Sequence, residues 1–309
     1  MLLQNWNICG KHRRWSFLRP NHYGVHLDAL EIRKLAILAI FSDDLLTSLL
    51  VLKGGNALNL IYGVGARSSL DIDVSLSNDF NDEAQARDKI FAVLTKKFEA
   101  AKHTVIDLRF ERKPRELLAG AMANWGGYEV KFKIIPTKVY KSLAGNAKKA
   151  SSQADEIGPG NQKTFCIQIS KGEYCTGKQE VPFGDQVIPV YTPAMIAIEK
   201  LRAICQQMPE YKFRKYPTAR ARDFYDIHTI VTQMSIDLAT AENLDLARLI
   251  FAAKEVPLLL IPRIGDHGEF HRQEWSAVQD AVTAVIEPFD FYFDFVISQS
   301  KRLETLWTI

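Results

Sequence analysis

The segment that most constrains the fold is an apolar strand that leads into two glycines and then into a pair of closely spaced acids. Residues 49–52 are apolar, a Gly-Gly pair follows at 54–55, and Asp71 and Asp73 lie two positions apart. Residues two apart on a strand project from the same face. We therefore predict a strand over 71–76 that presents both carboxylates on its outer face and packs its alternate apolar side chains into a core.

These residue types are the ones that phosphoryl transfer requires. Two carboxylates on one face can hold a pair of Mg²⁺ ions about 3.5–4 Å apart, and tandem glycines let backbone N–H groups approach phosphate oxygens. Taken alone, an Asp-x-Asp pair is more often a solvated strand end, and a Gly-Gly pair is usually a turn. Their order here, with Arg67 and Ser69 just before the acids, favours a phosphoryl-transfer site.

The two segments together resemble the AbiEii/AbiGii toxin family of the polymerase-β-type nucleotidyltransferase superfamily. Members of that family carry a Lys-Gly-Gly-Thr-Ala-Leu-like segment followed by Arg-x-Ser-x-Asp-hydrophobic-Asp. The matching residues here run from Lys53 to Leu58 and from Arg67 to Asp73. Asn56 replaces the usual threonine, and both side chains can form local hydrogen bonds or cap a helix.

A later lysine extends the resemblance toward the C-terminus. A helix is predicted to open at Thr192 and Pro193, a capping residue followed by proline at the first helical position. This helix carries Lys200 within a Glu-Lys-Leu segment. By itself such a lysine would be a solvated surface residue, whereas the family implies that it reaches the triphosphate as a long, flexible cation.

A second C-terminal motif, Arg-Asp-x-x-Asp, contains Arg222, Asp223 and Asp226. Arg222 and Asp226 are four residues apart on a predicted helix, so they could simply form an ion pair. The family carries the same motif at this place, which implies that one of the two aspartates orients Lys200 or the nucleotide. The sequence leaves open which aspartate does so.

In the superfamily a third carboxylate joins the aspartate pair from a neighbouring strand. Two candidates lie on predicted strands, Asp107 and Glu129. Because the third acid of the family pattern lies between hydrophobic residues on the later strand, the resemblance favours Glu129. Either residue could instead be an ordinary outward-facing strand residue.

Composition allows a nucleic-acid partner without requiring one. The 309 residues are 47% hydrophobic and carry a net charge of +3, so the chain can bury a large core and is mildly basic. The four cysteines lack Cys-x-x-Cys spacing, and no signal peptide or membrane-spanning run is recognisable. We expect a soluble, cytoplasmic protein with reduced thiols.

The predicted elements divide the chain into two lobes. The resemblance implies an α+β fold, with an N-terminal extension (1–26), a nucleotidyltransferase lobe built on a mixed twisted sheet flanked by helices (27–191), and a helical lobe (192–309). Predicted strands are 49–52, 71–76, 104–110, 128–135, 164–170 and 186–191. Predicted helices are 27–41, 56–62, 83–101 and most of the chain from 193 onward. Residues 141–162 lack periodicity and are predicted to be a flexible loop.

The sequence therefore predicts a Mg²⁺-dependent nucleotidyltransferase with an NTP substrate and two bound Mg²⁺ ions. The resemblance implies an RNA acceptor such as tRNA, a toxin role in a type IV-like toxin–antitoxin or phage-defence system, and an antitoxin encoded nearby. Alternatives are a protein acceptor, or a nucleotide-binding protein that sequesters a partner without catalysis. Predicted metal ligands are Asp71, Asp73 and Glu129. Predicted nucleotide-binding residues are Lys53, Gly54, Gly55, Asn56, Arg67, Ser69 and Lys200. Predicted catalytic residues are Asp71, Asp73, Lys200, Asp223 and Asp226.

Overall fold

A mixed β-sheet organises the fold. The structure is a computed structural model and describes residues 27–64, 70–116, 125–214, 216–282 and 284–308. Seven strands are found within these residues: β1 (Leu50–Lys53), β2 (Ile72–Leu76), β3 (His103–Lys113), β4 (Gly127–Pro136), β5 (Phe165–Lys171), β6 (Gln179–Phe183) and β7 (Gln186–Val190). Their order across the sheet is β3-β4-β5-β2-β1-β7-β6. The predicted N-terminal extension lies outside the described residues.

Strand β2, which follows Asp71 and contains Asp73, lies in the middle of this sheet. It is antiparallel to β1 and parallel to β5. Strands β1 and β7 are parallel, and the remaining neighbours pair in antiparallel fashion. The predicted mixed sheet is therefore confirmed, and its central strand carries the acids.

The two faces of the sheet differ in character. Ile72 and Val74 are fully buried on one face, where Phe132 of β4 lies 5.6 Å, ring to ring, from Phe98. Side chains at alternate positions, among them Asp73, project from the opposite face. The apolar face forms the core, and the polar face is left for the site.

Helices surround the sheet. The helices before β7 are α1 (Ala29–Ile40), α2 (Asp44–Leu49), α3 (Gly54–Asn56, continued by a π-helical turn at Ala57–Ile61), α4 (Glu83–Ala100), α5 (Thr137–Ser142) and α6 (Ala147–Ser152). Helix α1 begins where Asp28 accepts from the backbone N–H of Glu31, and the Glu31 side chain accepts from that of Asp28. This reciprocal capping fixes the start of the helix. Phe98, which contacts Phe132, places α4 on the apolar face.

From residue 193 onward every regular element within the described residues is helical. These helices are α7 (Pro193–Cys205), α8 (Ala221–Gln233), α9 (Ala241–Ala252), α10 (Gly268–Arg272), α11 (Trp275–Ala281) and α12 (Phe289–Arg302), with 3₁₀ turns at Leu258–His267 and Glu304–Leu306. Helix α7 begins as predicted, because Thr192 accepts from the N–H of Met195 and Pro193 occupies the first turn. None of the described helices combines the length and apolar character that crossing a membrane requires.

Three local predictions were wrong. The predicted loop 141–162 contains α6, which Asn146 caps and which is too short to give a periodic pattern. Strand β6 was not predicted, because its residues are only partly covered and do not form an apolar run. Helix α3 opens at the glycines rather than after them.

Candidate active site

The pairing register aligns polar residues in one row across four strands. Lys53 of β1 pairs with Asp73 of β2, Asp73 pairs with Gln168 of β5, and Gln168 pairs with Glu129 of β4. Residues paired in register share a face of the sheet. Asp71 precedes Asp73 by two positions, so its carboxylate joins the same face, as predicted.

The glycine pair approaches the aspartates directly. Gly54 has a φ of +68°, and a Cβ built on it would lie 2.6 Å from Oδ2 of Asp73. Any other residue would combine left-handed backbone strain with a clash. Gly54 thus packs directly against Asp73, and the predicted approach of the glycines to phosphate oxygens remains a prediction.

Asn56 is hydrogen-bonded to the chain at Asp71 and fixes the position of this aspartate. Its side chain is fully buried, and its Nδ2 donates to the backbone carbonyl of Asp71 at 2.6 Å. Arg33 donates to Oδ1 of Asn56 at 3.5 Å. A fully buried amide that donates to Asp71 positions that aspartate. The predicted contact of Asn56 with the nucleotide remains a prediction.

The aspartate pair resists ionisation in this environment. Burial raises the pKa of Asp73 to about 6, and the neighbouring Glu199 and Asp71 also raise it against the opposing effect of Lys53. Burial likewise raises the pKa of Asp71, although Gln168 donates to its Oδ2 at 3.3 Å. A cation placed between these two carboxylates would stabilise their ionised forms.

Lys200 lies between the two aspartates of the Arg-Asp-x-x-Asp motif. Its Nζ is 2.9 Å from Oδ1 of Asp223 and 2.7 Å from Oδ2 of Asp226. Arg220 also contacts Asp223, with its Nε 2.6 Å from Oδ2. Burial opposes the charge on Asp223, but Arg220 and Lys200 outweigh it and hold its pKa well below the usual range. The predicted orientation of Lys200 thus involves both aspartates.

Lys53 belongs to the row of polar residues and also to a buried ion cluster that the sequence did not predict. Its Nζ lies 2.9 Å from Glu199 and 3.6 Å from Glu173. Arg202 contacts both glutamates at 3.1 Å, and Lys254 contacts Glu173 at 3.6 Å. Burial opposes the charge on Lys53, but the two glutamates raise its pKa. The charge of Lys53 is therefore largely balanced within the protein.

The two candidates for the third carboxylate occupy different places. Glu129 lies on the face of the aspartates, two strand spacings, or about 10 Å, from β2. It pairs with Lys131 at 2.7 Å and Lys113 at 3.1 Å. Asp107 lies on the outermost strand β3 at a bulge, has a φ of +54°, and pairs with Lys133 at 3.0 Å. The geometry therefore separates Asp107 from the aspartate pair.

The strand next to β2 carries an amide where a third acid is expected. Gln168 stands between Asp73 and Glu129 in the row, and its Nε2 donates to Oδ2 of Asp71. Its alternation with the buried Ile167 and Ile169 was the only signal in the sequence that it faces outward. The immediate neighbour of the pair on this side is therefore neutral.

Residues from the sheet and from the C-terminal helices line one cleft of about 1230 Å³. Among those that line it are Asp71, Asp73, Lys200, Arg214, Arg220 and Arg222. Gly54 and Gly55 also reach it. The predicted contacts of Arg67 and Ser69 lie outside the described residues.

A family model described as "Nucleotidyl transferase AbiEii toxin, Type IV TA system" matches residues 36–295. The chain belongs to this family. The aspartate pair, the glycine turn and the Lys200 cluster all fall within the matched region of the AbiEii family. Membership makes the chain a nucleotidyltransferase toxin and implies an NTP substrate and an antitoxin partner.

Three crystal structures match the chain at low sequence identity and with TM-scores below 0.5. JHP933 from Helicobacter pylori is 15% identical with a TM-score of 0.46, covering 90% of this chain and 92% of its own. A second H. pylori protein, named as a candidate nucleotidyltransferase, is 17% identical with a TM-score of 0.47 and coverages of 91% and 98%. An antigenic nucleotidyltransferase-like protein from Paracoccidioides brasiliensis is 14% identical, with a TM-score of 0.35 and coverages of 73% and 92%. A comparison with curated proteins finds no match.

The donor set of this AbiEii site fits a divalent cation that shares its ligands with a substrate. Within the described residues, His, Cys, Asp and Glu do not form a group of three that could hold a metal ion by themselves. Mg²⁺ commonly uses one or two carboxylates and completes its shell with water and substrate phosphates. Asp71 and Asp73 supply that minimum on one face of β2.

Proposed function

We propose that this AbiEii family member transfers a nucleotide from an NTP to an RNA acceptor such as tRNA, with Mg²⁺ held by Asp71 and Asp73. The observation that carries the proposal is the aspartate pair itself. It lines the same cleft as Lys200, Arg220 and Arg222. Carboxylates that gain from a cation, in one cleft with basic side chains, suit a metal-bound triphosphate.

The reaction that this arrangement would support is an in-line displacement at the α-phosphorus. A bond forms between the acceptor oxygen and the α-phosphorus, the bond to the bridging oxygen breaks, pyrophosphate leaves, and the acceptor proton passes to solvent. Mg²⁺ bound at the pair, as two ions in the predicted arrangement, would lower the pKa of the acceptor hydroxyl and offset charge on the pyrophosphate.

The protein's own groups would then position the reactants. The N–H groups at Gly54 and Gly55 would face phosphate oxygens. Lys200, held by Asp223 and Asp226, would place its positive charge beside the triphosphate without having to become ordered first. Asn56 would keep Asp71 in register with the glycines.

Two observations favour RNA over a protein acceptor. The cleft is larger than the roughly 300–1,000 Å³ typical of a site for one small ligand. Arg214, Arg220 and Arg222 line it in addition to Lys200, which suits a polyanion. A protein that only sequesters a partner would have no use for carboxylates whose ionisation burial opposes.

Incubation with each labelled NTP, Mg²⁺ and total RNA, followed by separation of RNA from protein, tests the proposal. Label in RNA supports it. Label in protein favours the protein-acceptor alternative, and NTP binding without any transfer favours the binding-only alternative.

The toxin role calls for a separate test in cells. We propose that the chain arrests growth when expressed without its antitoxin, that it acts in the cytoplasm, and that its system defends against phage. Expression in a bacterial host should arrest growth, and Asp71→Ala should abolish the arrest at equal protein level. Normal growth with strongly expressed wild-type protein would contradict the toxin role but not the nucleotide chemistry.

A further inference from the structure

An aromatic wall borders the cleft at a distance from the aspartates. It consists of Trp125, Tyr211 and Phe213, whose ring centroids lie 5.6–6.2 Å apart. Trp125 is partly exposed, and Trp125 and Phe213 both line the cleft. The position of Tyr211 is fixed by a hydrogen bond, because its hydroxyl donates to the backbone carbonyl of Lys254 at 2.8 Å. Tyr211 and Phe213 are largely buried, and the ammonium groups of Lys254 and Lys212 lie 5.5 Å and 4.7 Å from the ring centroids of Trp125 and Phe213. Trp125 is therefore the ring of the wall that is most accessible from the cleft.

Arg214, directly after this wall, has a positive charge with no acid to balance it. It lines the cleft, and its Nε is buried without a hydrogen-bond partner. Among the described residues it forms no ion pair, and its charged neighbours are Arg220 and Arg202. Burial, together with these two arginines, lowers its pKa. A guanidinium held among like charges in a cleft is suited to an anion.

The wall and the glycine turn lie on opposite sides of Asp73 along the sheet. Gly54 follows Lys53 in β1, which is antiparallel to β2, and so lies toward Asp71. Gly127 pairs with Ser170, two residues beyond Gln168 in β5, which is parallel to β2. Trp125 precedes Gly127 and is therefore displaced along the sheet away from Gly54, by about 7 Å or more. A triphosphate bound at the glycines would not occupy the aromatic wall, so another group could bind there.

We propose that Trp125, Phe213 and Arg214 form a subsite for a single-stranded nucleotide unit at the end of the RNA acceptor. The base would stack on the aromatic wall, and Arg214 would bind its phosphate. Stacking on aromatic rings together with phosphate contacts is how proteins hold single-stranded RNA. The inference rests on the proposed function, because this subsite is where the RNA acceptor of the proposed reaction would bind.

The test measures binding of RNA and of NTP separately. A short, fluorescently labelled single-stranded RNA is titrated in EDTA, and NTP binding is measured by calorimetry with Mg²⁺ and without RNA. Arg214→Ala and Trp125→Ala should each weaken RNA binding by about ten-fold or more. Arg214→Ala should also reduce the slope of log affinity against log salt by about 1. NTP affinity should stay at the wild-type value in both variants.

Arg87→Ala is the matched control, because Arg87 is an exposed arginine on α4, the helix on the apolar face of the sheet. It should bind RNA as the wild type does. Trp125→Phe keeps an aromatic ring and should retain most of the RNA affinity. Comparing it with Trp125→Ala separates the loss of stacking from a folding defect.

Three outcomes would overturn the subsite. Wild-type RNA affinity in both Arg214→Ala and Trp125→Ala would do so while leaving the RNA acceptor standing. A loss of NTP affinity with unchanged RNA affinity would assign the wall to the base of the NTP. A wild-type protein that binds no RNA would defeat the proposed acceptor along with the subsite.

Discussion

Gly54 and Asp73 approach each other so closely that a methyl group on Gly54 would lie 2.6 Å from Oδ2 of Asp73. The glycine also adopts a φ of +68°, which side chains disfavour. One residue thus serves the backbone turn and the packing of the aspartate pair at the same time. The Gly-Gly signal in the sequence therefore reflects the position of Asp73 as well as any approach to phosphate.

Gly54→Ala should impair catalysis more than it impairs folding. The left-handed conformation should cost about 1–2 kcal/mol in unfolding free energy, and the new methyl group should displace the Asp73 carboxylate. Gly63→Ala is the control, because Gly63 has a φ of +65° but, among the residues that the structure describes, no heavy atom within 4 Å of its added Cβ. Both variants should lose similar stability in chemical denaturation, and only Gly54→Ala should lose nucleotide transfer. Equal activity in the two variants would contradict this account.

Lys200→Ala should lose both stability and triphosphate binding. Removing the ammonium leaves Asp223 and Asp226 buried beside each other, which should cost about 3–5 kcal/mol in unfolding free energy. Lys200→Arg should be only partly tolerated, because the planar guanidinium group of arginine does not reproduce the compact charge of the lysine ammonium group. The double variant Lys200→Met with Asp226→Asn should regain stability but not NTP affinity. Wild-type stability and NTP affinity in Lys200→Ala would contradict both roles given to this lysine.

Glu173 should make the protein sensitive to acid. Burial opposes its charge, but Arg202, Lys53 and Lys254 outweigh it and lower its pKa from 4.5 to about 2. A lowered carboxyl pKa adds stability that is complete above about pH 4.5 and is lost as the pH falls toward about 2. Glu173→Gln should therefore be less stable than the wild type at pH 7, and the gap should narrow across this range.

Denaturation of both proteins at several pH values measures the effect. Glu180→Gln, an exposed glutamate on β6, is the control and should track the wild type throughout. A gap between Glu173→Gln and the wild type that stays constant from pH 7 to pH 3 would show that the ionisation of Glu173 does not stabilise the fold.

Asp73→Asn should stabilise the protein in the absence of metal. Because burial raises the pKa of Asp73 to about 6, its charged form destabilises the fold at neutral pH, by about 1–2 kcal/mol for a half-buried group. Melting in EDTA should give a higher Tm for Asp73→Asn than for the wild type. Added Mg²⁺ should raise the Tm of the wild type and leave the variant unchanged. A variant that melts lower in EDTA would argue against a cation site here.

The elements predictable from sequence were those whose pattern is local. Strand β2 alternates acids with Ile72 and Val74, and α7 opens on Thr192 and Pro193, so periodicity and capping suffice. Helix α6 was missed because six residues give no measurable period and Asn146 alone marks its start. Local pattern thus fixes long elements and leaves short ones open.

The site was predictable as far as single strands and motifs allow. Asp71, Asp73, Lys200, Asp223 and Asp226 are found as two clusters that border one cleft. The partners of Lys53 were not predictable, because Glu173 and Glu199 are more than 100 residues away and only β-sheet pairing and the packing of α7 bring them together. The place of Gln168 between Asp73 and Glu129 depends on strand order, which no motif encodes.

The most direct test of the central claim is transfer of labelled nucleotide from an NTP to RNA by wild-type protein and by the double variant Asp71→Asn, Asp73→Asn. Both proteins should be folded, as judged by circular dichroism, because the carboxylates face the cleft and not the core. The wild type should label RNA only when Mg²⁺ is present, and the variant should not label RNA. Labelling by the variant at a rate close to that of the wild type would contradict the central claim.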